Sequence, residues 1–334
     1  MDYRKVQVMG GSTVLVSLPK KWADRHNVRK GDLIAIQERA DGSLVISKSA
    51  AEPTEASEVT IAYSSPDLEA LTNDITSQYL LGHDFIRIVG EGRFSLEERE
   101  RVKEVVRRLV GLEIIEEDTE SLTIQCLLEH TSLDPHKLLV RMHMLTSAMH
   151  RDAIISLTEG DTHLSEIVVR RDDEIDRLYF LVVRLLRSAV QNPSLADRYG
   201  LSPIDCLDFR VAANLIENIG DLATDVARTV SVLPRIDLTG ALASALQQAS
   251  FLLEELQENA VSAFLERAEF DAASFVKAYE TLDMKLDTLD ALIQEHPPET
   301  LTPLSAIKAS LQRIAHNSVD INDLVVPELP TRTG

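Results

Sequence analysis

Apolar residues recur every three or four positions from about Asp134 to the end of the chain, a spacing typical of amphipathic α-helices. In residues 203–230 the apolar stripe consists of Ala212, Leu215, Ile219, Leu222, Ala223 and Val226. Glu217, Asp221 and Asp225 follow one another at intervals of four residues on the opposite face of the predicted helix. The pattern therefore predicts a helix that packs by one face and carries a row of carboxylates on the other.

The carboxylate row has two interpretations. Like charges four residues apart on a helix destabilise it by about 0.2–0.5 kcal/mol per pair, so the row brings the helix no stability of its own. It is either a solvated acidic face or a surface site for metal ions, because hard cations take oxygen ligands held at a fixed spacing.

A second copy of this pattern lies near the C-terminus. Residues 310–321 align with residues 215–226, so that Gln312, His316 and Asp320 take the places of the three acids. The helix before each row matches as well, since an acid pair four residues apart occurs in both. The paired acids are Asp172 and Asp176 in the first copy and Asp283 and Asp287 in the second. An internal duplication is the simplest account, with one acid pair on each middle helix and one polar row on each last helix.

The segments DDEIDRL (172–178) and IENIGDLATDVA (216–227) resemble the PhoU family of phosphate-uptake regulators. The family motif joins a carboxylate-xxx-Asp helix to a helix with an ERIGDHA-like sequence. The resemblance implies a mainly α C-terminal part made of two repeated three-helix bundles, at residues 134–231 and 239–326.

The same resemblance implies metal binding, because some PhoU proteins hold multinuclear clusters of iron or other metals on their outer bundle faces. Zinc, manganese and nickel are the other candidates. The second copy departs from the family, with Gln312 where Glu is usual and His316 where Asp is usual, so we expect it to contribute less. The implied ligands are Asp172, Asp176, Glu217, Asp221, Asp225, Asp283, Asp287, His316 and Asp320.

The first 50 residues follow a strand pattern instead. Apolar and polar residues alternate in residues 6–8 and 14–18, which predicts two half-buried strands. Pro19 predicts the start of a short helix, and Asp41-Gly42 predicts a β-hairpin. Because so short a segment buries little apolar surface alone, we expect it to form a homodimer.

The order of strand, LPKKW helix, VRKGD turn and hairpin resembles the SpoVT/AbrB swapped-hairpin family, in which two chains interleave into one barrel that binds DNA. Ala23 stands where the family commonly has Arg, which argues against base-specific reading. The alternative is that this domain only dimerises and that its basic side chains are solvated. The residues that the resemblance places at DNA phosphates are Arg4, Lys5, Lys20, Lys21, Arg25, Arg29 and Lys30.

Charge separates the two ends of the chain. Residues 1–50 hold nine Lys or Arg against five Asp or Glu, whereas the whole chain has a formal net charge of −20. Nucleic acid repels a molecule of that charge, so any DNA contact is confined to the basic N-terminal segment.

Residues 58–130 alternate strand and helix patterns in the order βαβαββ. Ser95 and Glu98 predict a capping box at the start of the second helix. We expect a small α+β domain of the ferredoxin-like, split βαβ kind that couples the two ends of the chain.

Other motifs limit the possible functions. The chain has no GxSxG, HExxH or post-strand GxGxxG motif, so no enzyme class is predicted. His136, His143 and His150 recur every seven residues, about 10.5 Å apart along a helix, which is too far to share one ion, and we interpret them as bundle-edge residues. Cys126 and Cys206 lack metal-site spacing and are predicted to be buried. No apolar run approaches 18 residues and no signal peptide is recognised, so we expect a cytoplasmic protein.

The sequence thus predicts a homodimeric regulator of phosphate uptake that binds DNA through residues 1–50. The alternative is an adaptor that does not bind DNA. It would dimerise through the N-terminal barrel and dock on the ATPase of the phosphate ABC transporter or on a signalling partner.

Overall fold

The computed structural model describes residues 3–11, 13–38, 42–48, 56–64, 67–129, 132–232, 238, 240–266 and 271–325. The chain divides into two compact units, Met1–Ala56 and Ser57–Gly334, and each is described by itself. Asp41 of the predicted hairpin turn lies outside the described residues.

The first unit consists of two antiparallel hairpins and a short helix. Pro19, in an extended conformation, immediately precedes the helix, as predicted. Val8 pairs with Val14 in the first hairpin, and Ile36 pairs with Ile46 in the second. The elements are β1 (Gln7–Met9), β2 (Thr13–Leu15), α1 (Lys20–Arg25), β3 (Ile34–Glu38) and β4 (Leu44–Lys48).

The strands β1 and β2 are exposed along their whole length, which corrects the expectation of half-buried strands. The reason is that each hairpin is only two-stranded and forms a separate sheet, and no described residue of the chain covers its apolar side. Val8, Val14 and Ile36 are all more than 60% exposed.

The second unit begins with a four-stranded α+β domain in the predicted order βαβαββ. The predicted capping box is present, with Ser95 and Glu98 each bonded to the other's backbone N–H. The elements are β5 (Glu58–Tyr63), α2 (Leu68–Leu80), β6 (Phe85–Gly90), α3 (Leu96–Arg108), β7 (Leu112–Glu117) and β8 (Ser121–Cys126).

The strand pairing of this domain differs from the ferredoxin-like arrangement that we expected. The sheet order is β5-β6-β8-β7, and β5 pairs directly with β6 in parallel. A split βαβ unit would have another strand between these two. The crossover helix α2 instead joins neighbouring strands, and the β7–β8 hairpin adds to the free edge of β6.

Seven helices follow in the described part of the chain. Asp134 and Asp161 cap the first two helices by accepting hydrogen bonds from backbone N–H groups. Gly160, at φ 69°, ends the first of them in the left-handed conformation that glycine adopts without strain. The helices are α4 (Pro135–Glu159), α5 (Thr162–Gln191), α6 (Pro193–Tyr199), α7 (Pro203–Val232), α8 (Gly240–Glu266), α9 (Ala272–Gln294) and α10 (Pro298–Asp323).

The two predicted helix triplets are α4, α5 and α7, followed by α8, α9 and α10, with the short α6 as an addition in the first. Buried residues of both triplets form one continuous core, whereas the α+β domain has a core of its own. The predicted apolar stripe of α7 lies in the common core, where Leu215 is partly buried and the other five residues are buried. Cys126 and Cys206 are buried, as predicted.

Among the described residues, no helix is both long enough and apolar enough to cross a membrane.

Candidate metal centre

Carboxylates from two neighbouring helices converge on one face of the first helix triplet. Asp176 lies on α5, and Glu217 and Asp221 lie on α7, which packs alongside α5. One carboxylate oxygen from each of the three residues lies within 4.8 Å of the others. The structure therefore brings together three of the five acids that the sequence placed on this face.

The neighbouring carboxylates disfavour the ionised forms of Glu217 and Asp221. Burial and the neighbouring charges of Asp221, Asp176 and Asp172 raise the pKa of Glu217 to about 7, well above its ordinary value of 4.5. The pKa of Asp221 is raised as well, by loss of hydration and by Asp176 and Asp225. Three carboxylates in contact that repel one another form a group that a bound cation would stabilise.

The other two acids of this face, Asp172 and Asp225, share an arginine. Arg228 places its two terminal nitrogens 3.9 Å from Asp172 and 3.7 Å from Asp225. Burial, followed by the charges of Asp221 and Asp176, raises the pKa of Asp172. The hydroxyl of Thr224 lowers the pKa of Asp172 and so offsets part of this rise. This hydroxyl is buried and does not meet the geometry of a hydrogen bond.

A second arginine reaches the three-carboxylate group from outside the helical part. Arg108, the last residue of α3 in the α+β domain, donates from Nη2 to Oδ2 of Asp176 at 3.2 Å. This pairing could not be predicted from the sequence, because 68 positions separate the partners and no local motif marks the arginine.

The donor set fits a metal ion. Its ligands are carboxylate oxygens, which suit Mg²⁺, Mn²⁺ and Ca²⁺ and also serve in iron sites. Half-burial of Glu217 and Asp176 lowers the local dielectric and so strengthens their attraction for a cation.

The corresponding face of the second triplet is arranged differently. Among the described residues, Asp176, Glu217 and Asp221 are the only three His, Cys, Asp or Glu side chains that meet within 4.8 Å. Asp283, Asp287, His316 and Asp320 are therefore not drawn together to that distance, and their joint role as ligands stays a prediction. His316 is engaged otherwise, with Nδ1 2.7 Å from the carbonyl oxygen of Gln312 and Nε2 3.4 Å from the hydroxyl of Tyr279.

A lysine occupies this second face. Lys308 on α10 is only 8% exposed, and its Nζ lies 2.6 Å from Asp290 and 3.9 Å from Asp287. In the alignment that pairs Gln312 with Glu217, Lys308 falls at the position of Ala213. Extension of the alignment by two residues beyond residues 310–321 marks this lysine in the sequence.

The prediction that the histidines of α4 lie at the bundle edge is wrong for His143 and His150, whereas His136 is partly exposed. His143 and His150 are 5% and 1% exposed, because α8 packs against this face of α4. His143 Nε2 lies 2.6 Å from Glu258, and His150 Nε2 lies 3.1 Å from Gln257. Burial lowers the pKa of His150 to about 4, which keeps it neutral. These residues join the two helix triplets.

The predicted DNA-contacting residues all lie at the surface of the first unit. Arg4, Lys5, Lys20, Lys21, Arg25, Arg29 and Lys30 are exposed. Lys20, Lys21 and Arg25 belong to α1, and Arg29 and Lys30 lie in the turn between α1 and β3. Their accessibility is compatible with phosphate contacts and equally with solvated charges.

Comparisons with known proteins match two separate parts of the chain. Residues 139–230 match the family model of the PhoU domain, and residues 7–54 match the model described as antidote-toxin recognition MazE, bacterial antitoxin. A search of curated proteins gives no significant match.

Solved structures resemble the helical part. The crystal structure of PhoU from Pseudomonas aeruginosa is 20% identical, with a TM-score of 0.51 over 57% of this chain and 93% of that chain. The phosphate transport system regulatory protein PhoU from Streptococcus pneumoniae is 19% identical, with a TM-score of 0.48 over 59% of this chain and 95% of that chain. At this identity the first match shows a shared fold. The TM-score of the second match is below 0.5, so no conclusion is based on it.

Proposed function

Since this chain carries a PhoU domain behind an N-terminal domain of the MazE and SpoVT/AbrB type, we propose that it is a DNA-binding regulator of phosphate uptake. The observation that carries the proposal is the presence of both domains in one chain. The PhoU match also agrees with the prediction that the protein is not an enzyme, because PhoU proteins are regulators.

DNA binding is assigned to the first unit. Its seven basic residues are exposed, whereas the chain as a whole carries a net charge of −20. Contact with DNA phosphates through this surface alone limits the repulsion from the acidic helices. We expect the regulator to act in the cytoplasm, where it would meet DNA.

The first unit is proposed to act as a homodimer. Val8, Val14, Leu33, Ile36 and Leu44 are each more than 60% exposed in the single chain. A second copy that interleaves its hairpins would cover these residues and supply the core that two separate two-stranded sheets lack.

The PhoU domain is proposed to hold metal on its α5–α7 face. Asp176, Glu217 and Asp221 would bind the ion, and Asp172 and Asp225 would extend the site if the cluster holds more than one. A bound cation would offset the mutual repulsion of these carboxylates, which is a structural and sensory role rather than a catalytic one. The candidate metals are iron, zinc, manganese and nickel, and of these manganese and iron best suit an all-carboxylate ligand set.

Salt-dependent DNA binding by the full chain tests the proposal. We expect the logarithm of the association constant to fall with the logarithm of the salt concentration, with a slope of about −0.9 for each neutralised phosphate. Lys20→Ala with Lys21→Ala should flatten this slope, as measured by fluorescence anisotropy. The matched control is Lys277→Ala with Lys285→Ala on α9, which should leave the slope unchanged.

DNA binding that both double variants weaken equally would contradict the assignment to the first unit. Absence of DNA binding in the wild-type chain would leave the adaptor function, with the ATPase of the phosphate transporter as the predicted partner.

A further inference from the structure

One row of α5 faces the α+β domain. Asp176, Phe180 and Arg184 are spaced four residues apart, so they lie one above another on the same side of the helix. Phe180 packs against the core of the α+β domain, and the other two residues make polar contacts with it. Asp176 therefore belongs both to the three-carboxylate group and to the interface between the two parts of this unit.

The Arg184 end of the row is fixed. Its side chain is completely buried, and its guanidinium lies 4.9 Å from the ring centre of Tyr79. It donates hydrogen bonds to the carbonyl oxygens of Tyr79, Gly82 and His83 at the C-terminal end of α2. A buried guanidinium with three acceptors is costly to remove, so α2 stays attached to α5.

The Asp176 end of the row is exchangeable. The side chain of Arg108 is 58% exposed, and that of Asp176 is 27% exposed. Ion pairs of this exposure contribute little to stability, since water and salt screen them. A cation that binds Asp176 more strongly than a single guanidinium does can therefore displace Arg108.

We propose that Arg108 is a resident cation of the carboxylate group formed by Asp176, Glu217 and Asp221, and that a metal ion competes with it for Asp176. The inference rests on the proposed metal site and adds its regulation. Metal binding releases the last turn of α3, while Arg184 holds α2 in place. In the sequence, the α+β domain lies between the basic first unit and the PhoU domain. This contact therefore links metal binding to the domain that directly follows the proposed DNA-binding segment in the sequence.

Competition predicts that removal of the guanidinium strengthens metal binding. Mn²⁺ is a suitable probe because carboxylate oxygens are ligands that it accepts readily. In the full chain, Arg108→Gln should bind Mn²⁺ about 2- to 5-fold more tightly than the wild type, the range that the loss of one exposed ion pair allows. Isothermal titration calorimetry measures this. Arg107→Gln is the matched control, since it removes the same charge from the adjacent exposed position of α3.

Hydrogen exchange separates competition from a general charge effect. In the wild type, Mn²⁺ should speed amide exchange in the last turn of α3 by about 2- to 5-fold, again the range for one exposed ion pair, and should leave the C-terminal end of α2 unchanged. In Arg108→Gln the last turn of α3 should exchange faster before any metal is added and should not respond to Mn²⁺. Arg107→Gln should behave as the wild type does.

Failure of the proposed role of Arg108 and failure of the proposed metal site give different results in these experiments. Equal Mn²⁺ affinity in the wild type and Arg108→Gln, or an exchange rate in α3 that ignores Mn²⁺ in a wild-type protein that binds it, overturns the role of Arg108 alone. Absence of Mn²⁺ binding in the wild type and in both arginine variants overturns the metal site and the inference with it.

Discussion

The two acidic faces of the helical part neutralise their charge in different ways. On the α5–α7 face, three carboxylates meet, and the cations near them are Arg108, Arg210 and Arg228, of which Arg108 and Arg228 are more than half exposed. On the α9–α10 face, Lys308 lies within the face itself and is nearly buried.

The difference separates the proposed cation site of the first repeat from the helical fold that both repeats share. Lys308 stands at the position of Ala213, so its ammonium group lies beside Asp287, the counterpart of Asp176. The replacement of Glu217 by Gln312 and of Asp221 by His316 removes two further negative charges from the second face. The second face therefore holds a nearly buried cation, whereas the arginines around the first face are more exposed.

The largest expected effect is stabilisation of the first face by metal. Mn²⁺ at about 100 times its dissociation constant should stabilise the full chain by about 2.7 kcal/mol, because only the folded state brings the ligands together. Glu217→Gln with Asp221→Asn should abolish this gain and slightly stabilise the metal-free protein by removing repulsion. Thermal melting followed by circular dichroism measures both effects.

Asp283→Asn with Asp287→Asn is the matched control on the second face. It should retain most of the Mn²⁺-induced rise in melting temperature. Loss of the rise in the control to the same extent would show that the two faces are equivalent and would contradict the comparison.

A smaller effect is expected when the second face is given the charges of the first. The triple variant Lys308→Ala, Gln312→Glu, His316→Asp should bind more Mn²⁺ per chain than the wild type, since it removes the internal cation and restores two carboxylates. Equilibrium dialysis with elemental analysis measures the amount bound. Lys308→Ala alone is the control and should bind less than the triple variant. No increase in the triple variant would mean that backbone placement, not charge, separates the two faces.

Part of this arrangement could be predicted from the sequence. The apolar stripe of α7 and the capping box at Ser95 follow from local spacing, and helix periodicity placed Glu217 and Asp221 on one outward face. The convergence of Asp176 with them followed from the packing of two adjacent helices.

The rest depends on contacts between distant parts of the chain. Arg108 pairs with Asp176 only because the α+β domain packs against α5. The spacing of residues along the sequence does not predict this packing. The predicted strand order was wrong for a similar reason. The alternation of strands and helices does not determine which edge of β6 pairs with the last hairpin. The exposure of β1 and β2 could not be predicted either. Alternation of apolar and polar residues indicates that one face of a strand is to be covered, but it does not tell whether the same chain covers it.

A pH dependence of stability is also expected at the first face. The pKa of Glu217 is about 7 when folded against an ordinary 4.5, so between these values the folded state binds more protons than the unfolded state. The contribution of Glu217 to stability is therefore fully present below pH 4.5 and is lost as the pH rises through about 7. Without metal, Glu217→Gln should melt at a higher temperature than the wild type at pH 8, and the difference should shrink toward pH 4.

The matched control for this pH dependence is Asp320→Asn on α10. Its melting temperature should follow that of the wild type across the same range of pH. A pH-independent difference between Glu217→Gln and the wild type would contradict the raised pKa of Glu217.

The claim that the α5–α7 face is the metal site is tested most directly by single substitutions at equivalent positions of the two faces. Asp176→Asn and Asp287→Asn remove the same charge from α5 and from α9, and Mn²⁺ bound per chain can be measured for each by equilibrium dialysis. The account predicts a large loss of bound Mn²⁺ in Asp176→Asn and little or none in Asp287→Asn. Equal losses in the two variants, or no Mn²⁺ bound by the wild type, would contradict it.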